Sequence, residues 1–122
     1  MASVRYIVSD VEASVVFYRD NLDFTVDMHN EGKFAALKRE DLTLFLNAPG
    51  AGSGGQAGGD PAPGGWNRFM IVTHDLDAMA GRLRRAAATF RGEISEGGAG
   101  RVLLLEDPSG NAVELFEFKN AN

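Results

Sequence analysis

Residues 8–24 read VSDVEASVVFYRDNLDF. Ser9 and Glu12 stand in the order of a capping box, with Asp10 as the alternative cap. Val11, Val15, Tyr18 and Leu22 then recur at helical spacing, so the pattern predicts an amphipathic helix over 10–21. Strand-like text surrounds it. VRYIV (4–8) leads in, and FTVDM (24–28), FAALK (34–38) and LTLFL (42–46) follow. Glu31-Gly32 and Glu40-Asp41 supply the turns between them. The first 48 residues are therefore predicted to run strand, helix, three strands.

The same order is written a second time. FMIVT (69–73) leads into DLDAMAGRLRRAAA (75–88), a second predicted helix capped by Asp75, with Leu76, Met79, Ala80, Leu83 and Ala87 as its apolar stripe. TFRGEI (89–94), RVLLLE (101–106) and AVELFEF (112–118) follow as strands, separated by GGAG (97–100) and DPSGN (107–111). Asp10-Val11-Glu12-Ala13 matches Asp75-Leu76-Asp77-Ala78, Phe24 matches Phe90, and Glu40-Asp41 matches Glu106-Asp107. One such unit cannot bury its own sheet, whereas two can share a core. The expectation is a single α+β domain of 122 residues built from two tandem βαβββ modules, 1–48 and 66–119, whose strands curl into a cup-shaped mixed sheet with the helices outside.

Between the modules, PGAGSGGQAGGDPAPGG (49–65) holds eight of the 15 glycines and three of the four prolines, a composition that reads as a flexible loop. Gly50, Gly52 and Gly55 spell G-x-G-x-x-G, but a dinucleotide site needs a helix straight after the glycines, and Pro61 and Pro63 preclude one.

Composition removes several function classes. There is no cysteine, so disulfides, thiolate metal sites and a thiol nucleophile are excluded, in keeping with a reducing compartment. Net charge is −5, and the densest basic group, Arg82, Arg84 and Arg85, falls on a predicted helix, where it reads as a solvated face rather than a nucleic-acid track. MASVRYIVSD (1–10) lacks a signal-peptide apolar core, and no window approaches the ~20 apolar residues of a membrane span. A cytoplasmic protein binding neither nucleic acid nor membrane is expected.

VSDVEASVVFYRDNLDF (8–24) resembles the V-x-D-hydrophobic-x-x-S-x-x-F-Y-x-x-x-L-G-F signature of the vicinal oxygen chelate superfamily, which holds the glyoxalases, bleomycin-resistance proteins and extradiol dioxygenases. Asp23 stands where the signature has glycine. EDPSGNAVELF (106–116) is similar to the family's closing D-P-x-G-x-x-x-E-L. The superfamily's enzymes hold a divalent metal in the cup by four inward side chains, usually His and Glu. Counting seven residues back from each helix-capping Asp carries the first-strand positions onto Ser3 and Arg68, and the last-strand positions fall on Phe45 and Glu114. Phe45 has no donor atom and Arg68 offers only N–H donors, so a hard cation finds one normal ligand among the four. The two histidines do not repair the set: His29 is expected in the turn after FTVDM and His74 at the second helix start.

Strand alternation assigns Ser3, Arg5 and Ile7, then Thr43, Phe45 and Asn47, then Arg68, Met70 and Val72, then Ala112, Glu114 and Phe116 to the open face. Val4, Tyr6, Val8, Leu42, Leu44 and Leu46 are assigned to the helices. The expected ligand surface is Arg5, Phe45, Trp66, Arg68, Met70, Glu114 and Phe116, with Trp66 leaning over the rim. In this reading Arg68, and with it Arg5, replaces the metal, pairing with Glu114 or with an anionic or phenolic ligand group. Packing alone also accounts for the apolar members, and charge neutralisation for the Arg–Glu pair. The resemblance implies a homodimer and a metal-free binding protein of the bleomycin-resistance kind. The alternative is a metal-dependent glyoxalase- or dioxygenase-type enzyme drawing on His29, His74, Asp107 or a partner chain; a metal-free enzyme, with Glu114 as the catalytic general base and Arg68 as anion stabiliser, is the other enzymatic reading.

Overall fold

A computed structural model describes residues 2–51 and 59–119. The first module runs β1 (Ala2–Ile7), α1 (Val11–Asn21), β2 (Thr25–Asn30), β3 (Phe34–Arg39) and β4 (Leu42–Asn47). The second runs β5 (Phe69–Val72), α2 (Leu76–Arg85), β6 (Thr89–Phe90), β7 (Ser95–Glu96), β8 (Gly100–Glu106) and β9 (Ala112–Phe118). Each module makes its own mixed sheet. The orders are β1-β4-β3-β2 and β5-β9-β8-β6, with β7 also on β8, and the first strand of each module lies parallel to its last.

The α+β fold is as the duplicated text implies. The cup is made of two sheets, one from each module, and the Tyr6 side chain of β1 bridges to β5 and β9. The Tyr6 hydroxyl accepts from the Phe69 N–H at 3.3 Å and donates to the Ala112 carbonyl at 2.7 Å. Its ring meanwhile lies 5.1 Å from that of Phe69.

Alternation sorts the sheets as expected. Leu44, Leu46, Val8, Ala35 and Leu37 are buried with Val11, Val15, Tyr18 and Leu22 of the α1 region, while Ile71, Leu103, Leu105, Val113 and Leu115 are buried with Leu76, Met79, Ala80 and Leu83. These residues form one continuous cluster across both modules, so neither module buries its apolar face alone.

Several local readings change. Asp10, not Ser9, caps α1, its carboxylate accepting from the Ala13 N–H at 3.0 Å. Ser9 is drawn off to Ser109, whose hydroxyl accepts the Ser9 N–H at 2.9 Å. Asp75 caps α2 as expected, through Ala78 N–H at 3.0 Å. That helix stops at Arg85 rather than residue 88, because Ala87 turns left-handed at φ 58°. Of the predicted strand 89–94 only Thr89–Phe90 is extended in a sheet, as β6, and β7 follows beyond it at Ser95–Glu96. His29 lies in β2, not in the turn beyond it. Asp23, the residue at the signature's glycine, holds φ 62°. Aspartate tolerates that conformation better than most side chains, and its carboxylate takes a two-pronged bond from Arg82 of α2 at 2.9 and 3.2 Å. Of the loop 49–65, residues 52–58, which include Gly52 and Gly55, lie outside the described residues.

Candidate ligand-binding face

Register places the proposed residues in two groups. In the first sheet, Ser3 faces Thr43, Arg5 faces Phe45 and Ile7 faces Asn47 across the β1–β4 ladder. The Arg5 guanidinium lies over the Phe45 ring, 5.0 Å from its centroid, and donates through Nη1 to side-chain Oδ1 of the buried Asn47 at 2.8 Å. Arg5 therefore does not pair with Glu114, as the sequence allowed. The nearest acceptor is two residues beyond its own cross-strand neighbour, on the same face.

In the second sheet, Met70 faces Glu114 and Val72 faces Phe116. Arg68 donates through Nε to Glu114 Oε1 at 2.9 Å and through Nη1 to the Trp66 carbonyl at 3.2 Å. The two side chains are 36% and 17% exposed, which leaves the pair accessible yet partly desolvated. Among the described residues, nothing else bonds to Arg68 Nη2 or to Glu114 Oε2. Arg68 Nη2 and Glu114 Oε2 are therefore uncommitted within a formed ion pair. Phe116 lies against Phe118 with ring centroids 4.7 Å apart, and Trp66, Met70, Val72 and Phe118 are exposed. No hydrogen bond, ion pair or ring contact among the described residues links Arg5–Phe45 to Arg68–Glu114.

A residue that strand alternation did not single out joins this face. The Arg91 N–H donates to the Leu104 carbonyl at 2.9 Å, setting Arg91 in one cross-sheet row with Leu104, Glu114 and Met70. Its guanidinium lies 4.5 Å from the Trp66 ring centroid. Reading 89–94 as one regular strand hid it. The available signal was an Arg two residues beyond Thr89, on the same strand face as Thr89, whose register partner is Glu106.

The donor set does not fit a divalent metal. Ser3 and Phe45 lie in one sheet, and Arg68 and Glu114 are already paired in the other. No three His, Asp or Glu side chains group to hold a cation among the described residues. His29 Nε2 lies 3.2 Å from Glu12, whose Oε1 also accepts the Gly32 N–H. These contacts, the backbone one foremost, lower the Glu12 carboxyl below its ordinary value. His74 is exposed. Asp107 is buried and accepts from Tyr18, the Ser109 and Asn111 N–H groups and the Asn111 amide.

A family model for the Glyoxalase/Bleomycin resistance protein/Dioxygenase superfamily matches residues 1–115. The chain belongs to that superfamily. Solved structures with the same fold include a superfamily member from Sphaerobacter thermophilus at 25% identity and TM-score 0.78, covering 96% of this chain and 95% of that one. A lactoylglutathione lyase from Agrobacterium tumefaciens aligns at 20% identity and TM-score 0.74, covering 96% and 92%. TnmS3, an antibiotic binding protein from Streptomyces, aligns at 22% identity and TM-score 0.72, covering 96% and 93%. No curated protein matches the chain. These relatives span a lyase and a binding protein, so the superfamily assignment leaves the chemistry to the site itself. No described helix is long and apolar enough to cross a membrane.

Proposed function

We propose that this protein binds a planar aromatic small molecule carrying an anionic or phenolic group, without a metal, in the manner of the superfamily's antibiotic-binding members. The observation that carries the reading is the Arg68–Glu114 pair at 2.9 Å, partly exposed and flanked by Trp66, Met70 and Phe116. An acidic or phenolic oxygen can accept from Arg68 Nη2, and a phenolic O–H can donate to Glu114 Oε2. Charge-assisted bonds of this kind fix orientation, while apolar neighbours supply contact area. Arg5 over Phe45 offers a second cationic group on an aromatic ring.

The competing reading, a metal-dependent lyase, isomerase or dioxygenase, finds no adequate donor set among the described residues. We also read the protein as a cytoplasmic homodimer. Exposed Val72 and Phe118, beside the ligand-binding pair on the second sheet, support an association there.

Calorimetric titration with a panel of naphthols, naphthoates and polycyclic phenols tests the binding, alongside metal analysis of the purified protein. Saturable binding that survives chelator and is lost in Arg68→Met supports the reading. Stoichiometric metal whose removal abolishes an activity, or no binding across the panel, overturns it.

A further inference from the structure

Arg91 is one of the most heavily committed side chains outside the residues already assigned. Nε donates to Glu106 at 2.9 Å, Nη1 to the Gly65 carbonyl at 2.9 Å and Nη2 to the Gly110 carbonyl at 3.1 Å. The side chain is 13% exposed. Its planar face is nevertheless spent on Trp66, an aromatic ring that is 69% exposed. A tryptophan left so open, three residues ahead of a strand, would ordinarily sample several rotamers. Here the chain beneath it is also tied down. The Gly64 N–H donates to the Asn111 side-chain oxygen at 2.8 Å, and the Trp66 carbonyl accepts from Arg68. Gly64 and Gly65 hold φ values of 112° and 96°, which suit glycine and let the carbonyl of Gly65 turn toward Arg91.

We propose that Arg91 is a positioning residue for ligand binding, holding Trp66 as a preorganised stacking surface beside the Arg68–Glu114 pair. One face of the indole is taken by the guanidinium, and the ligand's ring stacks on the other. A cation already occupies the ring's electron-rich face, so the ligand ring it suits is neutral or anionic rather than cationic. Fixing Trp66 before the ligand arrives removes an ordering cost of binding. The inference rests on the ligand-binding reading above.

Trp66 is the sole tryptophan, so the indole N–H signal in a nitrogen–proton correlation spectrum reports on it alone. The probe is 2-naphthoate, titrated into wild type, Arg91→Gln, Arg91→Lys, Trp66→Leu and the double variant Arg91→Gln/Trp66→Leu. In the unliganded protein, Arg91→Gln should shift the indole signal and increase its fast motion while the rest of the spectrum stays folded. Affinity for 2-naphthoate should fall roughly tenfold in Arg91→Gln but less than about twofold when Trp66 is already Leu, the mark of an effect carried by the pair. Arg91→Lys should behave as Arg91→Gln, because an ammonium keeps the charge without the planar fork. If Arg91→Gln misfolds, Glu106→Gln, which loosens Arg91 without removing it, should weaken binding in the same Trp66-dependent way.

Three results overturn the proposal: an unmoved indole signal, an equal loss of affinity in the Trp66→Leu background, or full rescue by lysine. If 2-naphthoate and the wider panel fail to bind the wild type, the ligand-binding reading falls and this proposal with it. If they bind and the coupling is absent, only the role of Arg91 falls.

Discussion

The Tyr18 hydroxyl donates to Asp107 Oδ2 at 2.8 Å, a buried bond that spans 89 positions of sequence and ties the first helix to the last turn. Both residues are almost wholly removed from solvent. Asp107 Oδ1 meanwhile accepts the N–H groups of Ser109 and Asn111, so one carboxylate shapes the turn and receives the helix of the other module. Tyr18→Phe deletes a bond to a charged acceptor and should cost about 2 kcal/mol. Asp107→Ala also frees two backbone donors and should cost more, about 3 kcal/mol or above. Urea unfolding monitored by circular dichroism checks the order.

Alkaline pH should unfold the protein through its two tyrosines. Burial pushes the Tyr6 hydroxyl up to about 12 from the ordinary value of 10.0, and burial, then the Asp107 carboxylate, raise Tyr18 well above it. A folded-state value above the unfolded one means the stability is fully present below pH 10 and is lost as pH rises toward the folded value. Tyr6 is only partly buried, so solvent screening makes its share of this loss the smaller one. Tyrosinate absorbance should therefore stay flat through pH 10 and then rise together with loss of circular dichroism. Independent titration of either tyrosine in the folded state would contradict this.

The duplicated order of elements was legible in the text because helical periodicity and capping residues are local signals, repeated at Asp10 and Asp75. The faces of the first and last strand of each module were legible for the same reason, so Arg68 and Glu114 were expected together and lie in contact. What escaped depends on contacts distant in sequence. The competition that takes Ser9 from its helix to Ser109 lies 100 positions away. The Tyr6 hydroxyl between the modules and the tether of Arg91 to the Gly65 carbonyl follow from packing, not from any pattern near those residues. Arg5 was expected to have Glu114 within reach, but a same-face acceptor, Asn47, is closer.

Gly100 should accept no side chain. A Cβ there would fall on the Glu117 carbonyl oxygen and crowd the Phe116 ring and the Lys119 nitrogen. The obstacle is mainly backbone of the neighbouring strand β9, which cannot rotate aside, so Gly100→Ala must open the β8–β9 ladder near its end. A loss of about 3 kcal/mol or more is expected, as for other steric conflicts in a packed interior. Thermal denaturation should show it, and hydrogen exchange should place the opened bonds around Arg101 and Glu117, which are paired across that ladder. An unperturbed alanine variant would mean the ladder yields there.

Ala87 presents the opposite case, a site where glycine should stabilise. It is exposed and holds φ 58° at the end of α2. Its N–H donates to the Arg84 carbonyl and the Ala88 N–H to the Leu83 carbonyl, each at 3.0 Å, the paired closure in which the left-handed residue is ordinarily glycine. An L side chain in that conformation costs roughly 1–2 kcal/mol, offset in part by the greater freedom that glycine would have in the unfolded chain. Ala87→Gly should therefore gain about 0.5–1 kcal/mol. Chemical denaturation should show a higher midpoint with an unchanged slope. A lower midpoint would mean that the turn owes its shape to packing by the Ala87 methyl.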